Sequence, residues 1–218
     1  TLPEGLTKLD YGAFWGTSLE SINLPTTLTD LGRACFAYCD LRSVVIPDGI
    51  TTLPDALFLE NKNLTSVTIP SSVSVIQWQC FEGCSSLESL ELPSGLVFID
   101  YWVCKDSGIK SIVLPEGLKH LGFSAFENTK LESITIPGSI ENIEYACFSD
   151  CQNLKSVVMP SSVISMGYGA FSRCPQLIDA DGLAMVGDWL CGYFGTSSQL
   201  VLPGCVHKIV DYAISSAT

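Results

Sequence analysis

Eight apolar–proline pairs recur along this chain of 218 residues, and their spacing limits what it can fold into more than any other feature. They are Leu2-Pro3, Leu24-Pro25, Ile46-Pro47, Ile69-Pro70, Leu92-Pro93, Leu114-Pro115, Ile136-Pro137 and Met159-Pro160, set 22 or 23 residues apart. A fixed period of that length marks a solenoid, in which each repeat is one supersecondary unit stacked on the next.

Aligned on the prolines, one unit repeats. Leu64-Thr65-Ser66-Val67-Thr68-Ile69-Pro70 is followed by Val73, Ile76, Cys80-Phe81 and Cys84, and Leu87 opens the next unit. Leu131, Ile134 and Ile136 keep the same spacing before Pro137. Apolar residues at relative positions 1, 4 and 6 are the leucine-rich-repeat pattern. The alternation around the middle apolar residue predicts a short strand with one buried face. Proline then ends the strand, because it has no N–H for a parallel ladder. The Ala/Cys-Phe pair reads as a short helical or 3₁₀ turn on the back of the coil. The expected fold is therefore an α/β solenoid, a right-handed leucine-rich-repeat superhelix with short parallel strands. It has about nine repeats of 22–23 residues. A lone coil leaves both faces bare and cannot fold by itself, whereas stacked strands about 4.8 Å apart give a curved rod roughly 40 Å long.

The pattern resembles the BspA-like, or Treponema pallidum type, leucine-rich repeats, whose signature is approximately L-x-S-V-x-I-P followed by V-x-x-I-G-x-x-A-F-x-x-C. The resemblance is carried by Leu41-Arg42-Ser43-Val44-Val45-Ile46-Pro47, by Leu31-Gly32 with Cys35-Phe36 and Cys39, and by Met166-Gly167 with Ala170-Phe171 and Cys174. It covers nearly the whole chain. It implies a protein-binding or adhesion module of a bacterial (or some protozoan) cell-surface or secreted protein, with no active site to transfer.

One stretch breaks the period. Pro160 and Pro203 are separated by one repeat plus an insertion. The run Asp181-Gly182-Leu183-Ala184-Met185-Val186, then Gly187-Asp188, then Trp189-Leu190-Cys191-Gly192-Tyr193-Phe194 predicts an inserted β-hairpin over about 178–198. The repeat resumes at Leu200 and Leu202-Pro203. With the period otherwise unbroken, 1–218 is expected to form one leucine-rich-repeat domain. Its ends fall inside repeats and it shows no signal peptide, so it reads as a fragment of a longer array.

Composition excludes several partners. A net charge of −12 and a pI near 4.4 argue against nucleic acid and against anionic membrane surfaces. The mean hydropathy of +0.34 reflects a core spread through the repeats, since no apolar run approaches the ~18 residues that span a bilayer. The ten cysteines do not require metal or disulfides. Cys35, Cys80 and Cys147 fill the small slot before Phe, and Cys39, Cys84, Cys151 and Cys174 a later slot. Cys104 replaces a Phe. All eight read as small core residues. Cys151 and Cys174 share a slot in adjacent repeats and could approach disulfide range. Cys191 and Cys205 lie outside the slots and are the best candidates for exposed or paired thiols. Neither His120 nor His207 has a partner that the sequence identifies. No catalytic, cofactor or metal residue is assigned.

Three surfaces are candidates for binding. The strand face presents an unbroken serine column including Ser66, Ser89, Ser111 and Ser133, beside a mixed column containing Thr68, Glu91 and Thr135. It reads either as a ladder of small residues for tight packing or as a floor for a protein ligand. One residue earlier, Glu88, Lys110, Glu132 and Lys155 alternate in sign, which predicts exposed ion pairs that keep register. The second surface is the aromatic row Trp78, Tyr101, Phe123, Tyr145 and Tyr168. It is either a stabilising stack or an exposed stripe for a protein or glycan. The third is the hairpin, with Trp189, Tyr193 and Phe194, which reads equally as a functional face or as cover for the core of a widened repeat. The leading expectation is a non-enzymatic adhesion module, located at the cell surface or outside the cell. Its partner would be a host or neighbouring-cell surface or matrix protein, or a glycan. The rivals are a structural spacer and an accessory binding domain of a larger secreted enzyme.

Overall fold

The structure, a computed structural model, describes residues 2–196 and 199–214. The chain winds into about nine turns. Each regular coil has three sides, and each side arises from a different part of the repeat.

The first side carries the strands before the prolines. Ser43–Val45 pairs in parallel with Ser66–Thr68, Ser89–Leu90 with Ser111–Ile112, and Ser133–Thr135 with Ser156–Val158, serine opposite serine in every pair. Val44, Val67, Leu90, Ile112 and Ile134 point into the core. The second side is a parallel run of two-residue strands: Thr52–Leu53, Val75–Ile76, Phe98–Ile99 and His120–Leu121. Asn142–Ile143 pairs with Ser165–Met166 in the same way.

The third side corrects the α/β expectation, because the protein is almost free of helix. The helix among the described residues is a three-residue 3₁₀ turn, Pro175–Leu177. The Ala/Cys-Phe segment forms two successive β-turns instead, with a left-handed residue at every fourth position: Gln79 (φ 58°) and Gly83 (72°), Trp102 (56°) and Asp106 (57°), Ser124 (51°) and Asn128 (54°). A left-handed residue turns its peptide plane, so an α-helical ladder cannot propagate. Alternate N–H groups point along the rod. Phe58 donates to the Cys80 carbonyl (2.9 Å), Phe81 to Val103 (2.8 Å), Cys104 to Ala125 (2.8 Å) and Phe126 to Cys147 (2.9 Å). These intercoil bonds offset the strain of non-glycine residues at positive φ.

Phenylalanines form a column inside the coil. Phe14, Phe36, Phe58 and Phe81 stack at 5.5, 5.9 and 5.6 Å, and Phe126, Phe148 and Phe171 at 5.6 and 5.2 Å, with Cys104 in the gap. Three residues after each ring sits a small donor. Cys39, Cys84, Cys151 and Cys174 give their S–H to the carbonyl of the aromatic residue one coil earlier, at 3.0–3.2 Å. Asn61 fills the same slot, and its amide reaches the carbonyls of both Phe36 (2.6 Å) and Phe58 (3.1 Å). The late-slot cysteines are thus hydrogen-bond donors as well as core filler.

All ten cysteines are free thiols, including Cys151 and Cys174. Burial pushes the Cys35, Cys104 and Cys191 thiols up to about 12, and Cys80, Cys84 and Cys147 well up. Cys174 is raised by its hydrogen bond with Cys151 and then by burial. Nucleophilic thiolate is therefore scarce at these seven sites at neutral pH, whereas the same hydrogen bond from Cys174 lowers its partner Cys151, whose burial still keeps reagents away. A maleimide added to native protein at pH 7 should label exposed Cys205 quickly and half-buried Cys191 slowly, the other eight reacting after unfolding. Peptide mapping showing fast labelling of Cys84 or Cys147 would contradict this packing.

The inserted stretch is tied into the rod. Leu183–Val186 runs antiparallel to Trp189–Tyr193, and Trp189–Tyr193 also pairs in parallel with Lys208–Ile209. Of the 178–198 span expected for the hairpin, residues 197 and 198 lie outside the described residues.

Candidate binding interface

Period-two alternation puts the neighbours of each buried strand residue outside. Ser66, Thr68, Ser89, Glu91, Ser111, Ser133 and Thr135 are all exposed on the strand face. Ser89, Glu91, Ser111, Ser133 and Thr135 line one groove of about 950 Å³ that crosses three coils, together with Val113, Pro115 and Glu116. Ser66 and Thr68 lie outside its lining. Val113, 83% exposed, projects from its middle strand.

The column one residue earlier is paired along the rod. Glu20 meets Arg42 at 3.3 Å, Glu88 meets Lys110 at 2.6 Å and Glu132 meets Lys155 at 3.4 Å. The hydrogen bond and charge of Lys110 hold the Glu88 carboxyl below its usual range. All of these groups are exposed, so they fix register more than they add stability.

The aromatic row lies on the turn side. Tyr101 stacks on Phe123 at 4.8 Å, Phe123 meets Tyr145 edge-on at 6.5 Å, and Tyr145 tilts against Tyr168 at 5.9 Å. Trp78 is half-buried and faces Trp102 at 5.9 Å, which removes it from an exposed stripe. Trp102 was not singled out from the sequence. Its signal is an aromatic in a slot that holds Ala34, Ala56 and Ala146 in other coils. A second groove, about 530 Å³, runs beside Phe123, Tyr145 and Tyr168. Its charges are matched within the chain, Lys105 with Glu127 at 3.1 Å and Arg173 with Asp150 at 3.5 Å. The rings on this flank engage one another, and Tyr101, Phe123, Tyr145 and Tyr168 are exposed as well.

Of the two readings of the hairpin, covering the core fits two residues, which are thereby withdrawn as exposed binding candidates. Trp189 is buried (6% exposed) because Lys208 covers it, the Nζ lying 4.4 Å from the ring centroid and donating to the Val163 carbonyl at 3.0 Å. Tyr193 is half-buried. The insertion therefore uses its aromatics to close a widened coil, and Phe194 is the one left exposed. His207 also has a neighbour the sequence did not reveal, the Asp188 carboxylate at 3.7 Å.

Coils of this geometry match six copies of the BspA-type leucine-rich repeat region, over residues 1–107 and 85–186. The chain belongs to the BspA-type leucine-rich repeat family. A leucine-rich repeat protein from Bacteroides ovatus is 25% identical at a TM-score of 0.69, over 97% of this chain and 68% of its own. The Treponema pallidum leucine-rich repeat protein is 24% identical at 0.60, over 80% and 72%. The pneumococcal vaccine antigen PcpA shares the fold at 16% identity and 0.57, over 80% of this chain and 59% of its own. No curated protein sequence is similar enough to count as a relative. Among the described residues no helix is long and apolar enough to cross a membrane.

Proposed function

We propose that this BspA-type array is a non-enzymatic protein-binding module of a cell-surface or secreted adhesion protein, and that partners dock on the strand face. The groove over three coils carries this reading, because its outward side chains lack the internal pairing that engages the turn-side flank. Leucine-rich repeats generally mediate protein interaction, and solenoids use their long faces for it. Among the described residues no group of three or more His, Cys, Asp and Glu could hold a metal ion. The serines belong to repeat positions rather than to a nucleophile–base pair.

The site can be tested by bulk alone. Ser111→Trp fills the middle of the groove without changing charge, and Tyr101→Ala opens the flank. On an array of extracellular-matrix and cell-surface proteins, Ser111→Trp should weaken any captured partner by about tenfold or more, and Tyr101→Ala should leave it within about twofold. The reverse order would move the site to the aromatic row. An array with no partner at all would favour the spacer reading.

A further inference from the structure

We infer that the strand-face groove receives a cationic, extended polypeptide segment, with an apolar side chain seated over Val113 and lysine or arginine on either side meeting Glu91 and Glu116. The inference rests on the protein-binding reading for the location of contact and adds the chemistry of the partner.

The charge arrangement supports it. Eight of the eleven Lys and Arg side chains are in ion pairs with carboxylates, Lys208 lies against Trp189, and the other two, Lys119 and Lys130, are outside the groove lining. With 23 acidic residues in the chain, many carboxylates have no cation. Glu91 and Glu116 are two of these, and both line the groove, whose lining contains no Lys or Arg. The nearest column of cations cannot serve them, because Lys110 and Lys155 are held by Glu88 and Glu132. The groove is thus an acidic concavity inside a chain of net charge −12, which raises the local concentration of a cation and speeds its encounter.

Charge alone would suit a polyamine or a loose basic coil. The second feature is apolar: Val113 stands 83% exposed between the carboxylate-bearing coil and Thr135. An exposed β-branched side chain among serines offers contact area to an apolar group and little to an ammonium. A volume of about 950 Å³ across three coils accommodates a run of several residues rather than one side chain. A second copy of this chain is disfavoured, because two acidic faces would repel.

The probes are labelled nonapeptides read by fluorescence anisotropy: alternating Lys/Val, alternating Glu/Val and alternating Lys/Gly, with spermine as competitor. The Lys/Val peptide should bind, the Glu/Val peptide should not, and Lys/Gly should be several-fold weaker. Binding should fall steeply between roughly 50 and 300 mM salt, where the screening length shortens below the groove's dimensions. The double variant Glu91→Gln/Glu116→Gln should weaken the Lys/Val peptide by about tenfold and flatten the salt dependence. Glu141→Gln/Glu144→Gln, the same charge change outside this lining, should leave binding within about twofold. Equal losses in both double variants would reduce the effect to net charge and overturn the proposal. So would efficient competition by spermine, or equal affinity for Lys/Gly. If Ser111→Trp abolishes capture of a protein partner while Glu91→Gln/Glu116→Gln leaves it intact, the groove stands and its cationic ligand does not.

Discussion

Phe148→Ala should destabilise the protein by about 3–5 kcal/mol, the range for removing a fully buried aromatic side chain. Phe148 is completely buried and is stacked on both sides, against Phe126 at 5.6 Å and Phe171 at 5.2 Å. Truncation removes both ring contacts and leaves a void between coils whose spacing is set by the surrounding intercoil hydrogen bonds. The neighbours cannot collapse into it without breaking the ladder from the Phe148 N–H to the Ala170 carbonyl (2.8 Å). Phe148→Leu refills much of the volume and should cost about 1.5 kcal/mol or less. Urea denaturation followed by tryptophan fluorescence and circular dichroism measures both. Equal losses for the two variants would show that aromatic stacking, not filled volume, holds the column.

Asn61→Ala should cost about 2–3 kcal/mol, because it withdraws a donor from two buried carbonyls, those of Phe36 and Phe58. Asn61→Cys should cost less than about 1 kcal/mol. A thiol in this slot serves the preceding carbonyl at 3.0–3.2 Å in four other coils. The exchange also removes the buried Asn61 Oδ1, which has no hydrogen-bond partner among the described residues. A cysteine variant as unstable as the alanine one would show that the thiol contacts contribute nothing.

The strand side was legible because burial dictates it residue by residue. Leu64 and Val67 must face inward for any coil to stack, and both are buried. The turn side was not, because its geometry lies in peptide orientation rather than in polarity. The left-handed slots hold Gly12, Gly83 and Gly169 in some coils, but Ala34, Gln79, Trp102 and Ala146 in others. The glycines were the available clue, and the Ala/Cys-Phe pair after them suggested a helix instead. Trp189 was left open for another reason: its cover comes from Lys208, which the fold delivers after the insertion. Val113 and Val158 occupy one repeat slot and look alike in sequence. What separates them is that Val113 shares its groove with two carboxylates whose want of an ion partner emerges only from the ion pairs of the folded chain.

The donors in the late slot give the rod a direction. Each Cys or Asn caps a carbonyl in the coil before its own, so a coil is completed by the one synthesised after it. The turn N–H groups run the other way, Phe58, Phe81 and Phe126 donating to carbonyls of the coil after their own, so a coil removed from either end strands backbone groups on its neighbour, at about 1–3 kcal/mol for each one left buried. Neighbouring coils therefore complete each other in both directions, and a newly made coil is fully satisfied only when it is sandwiched.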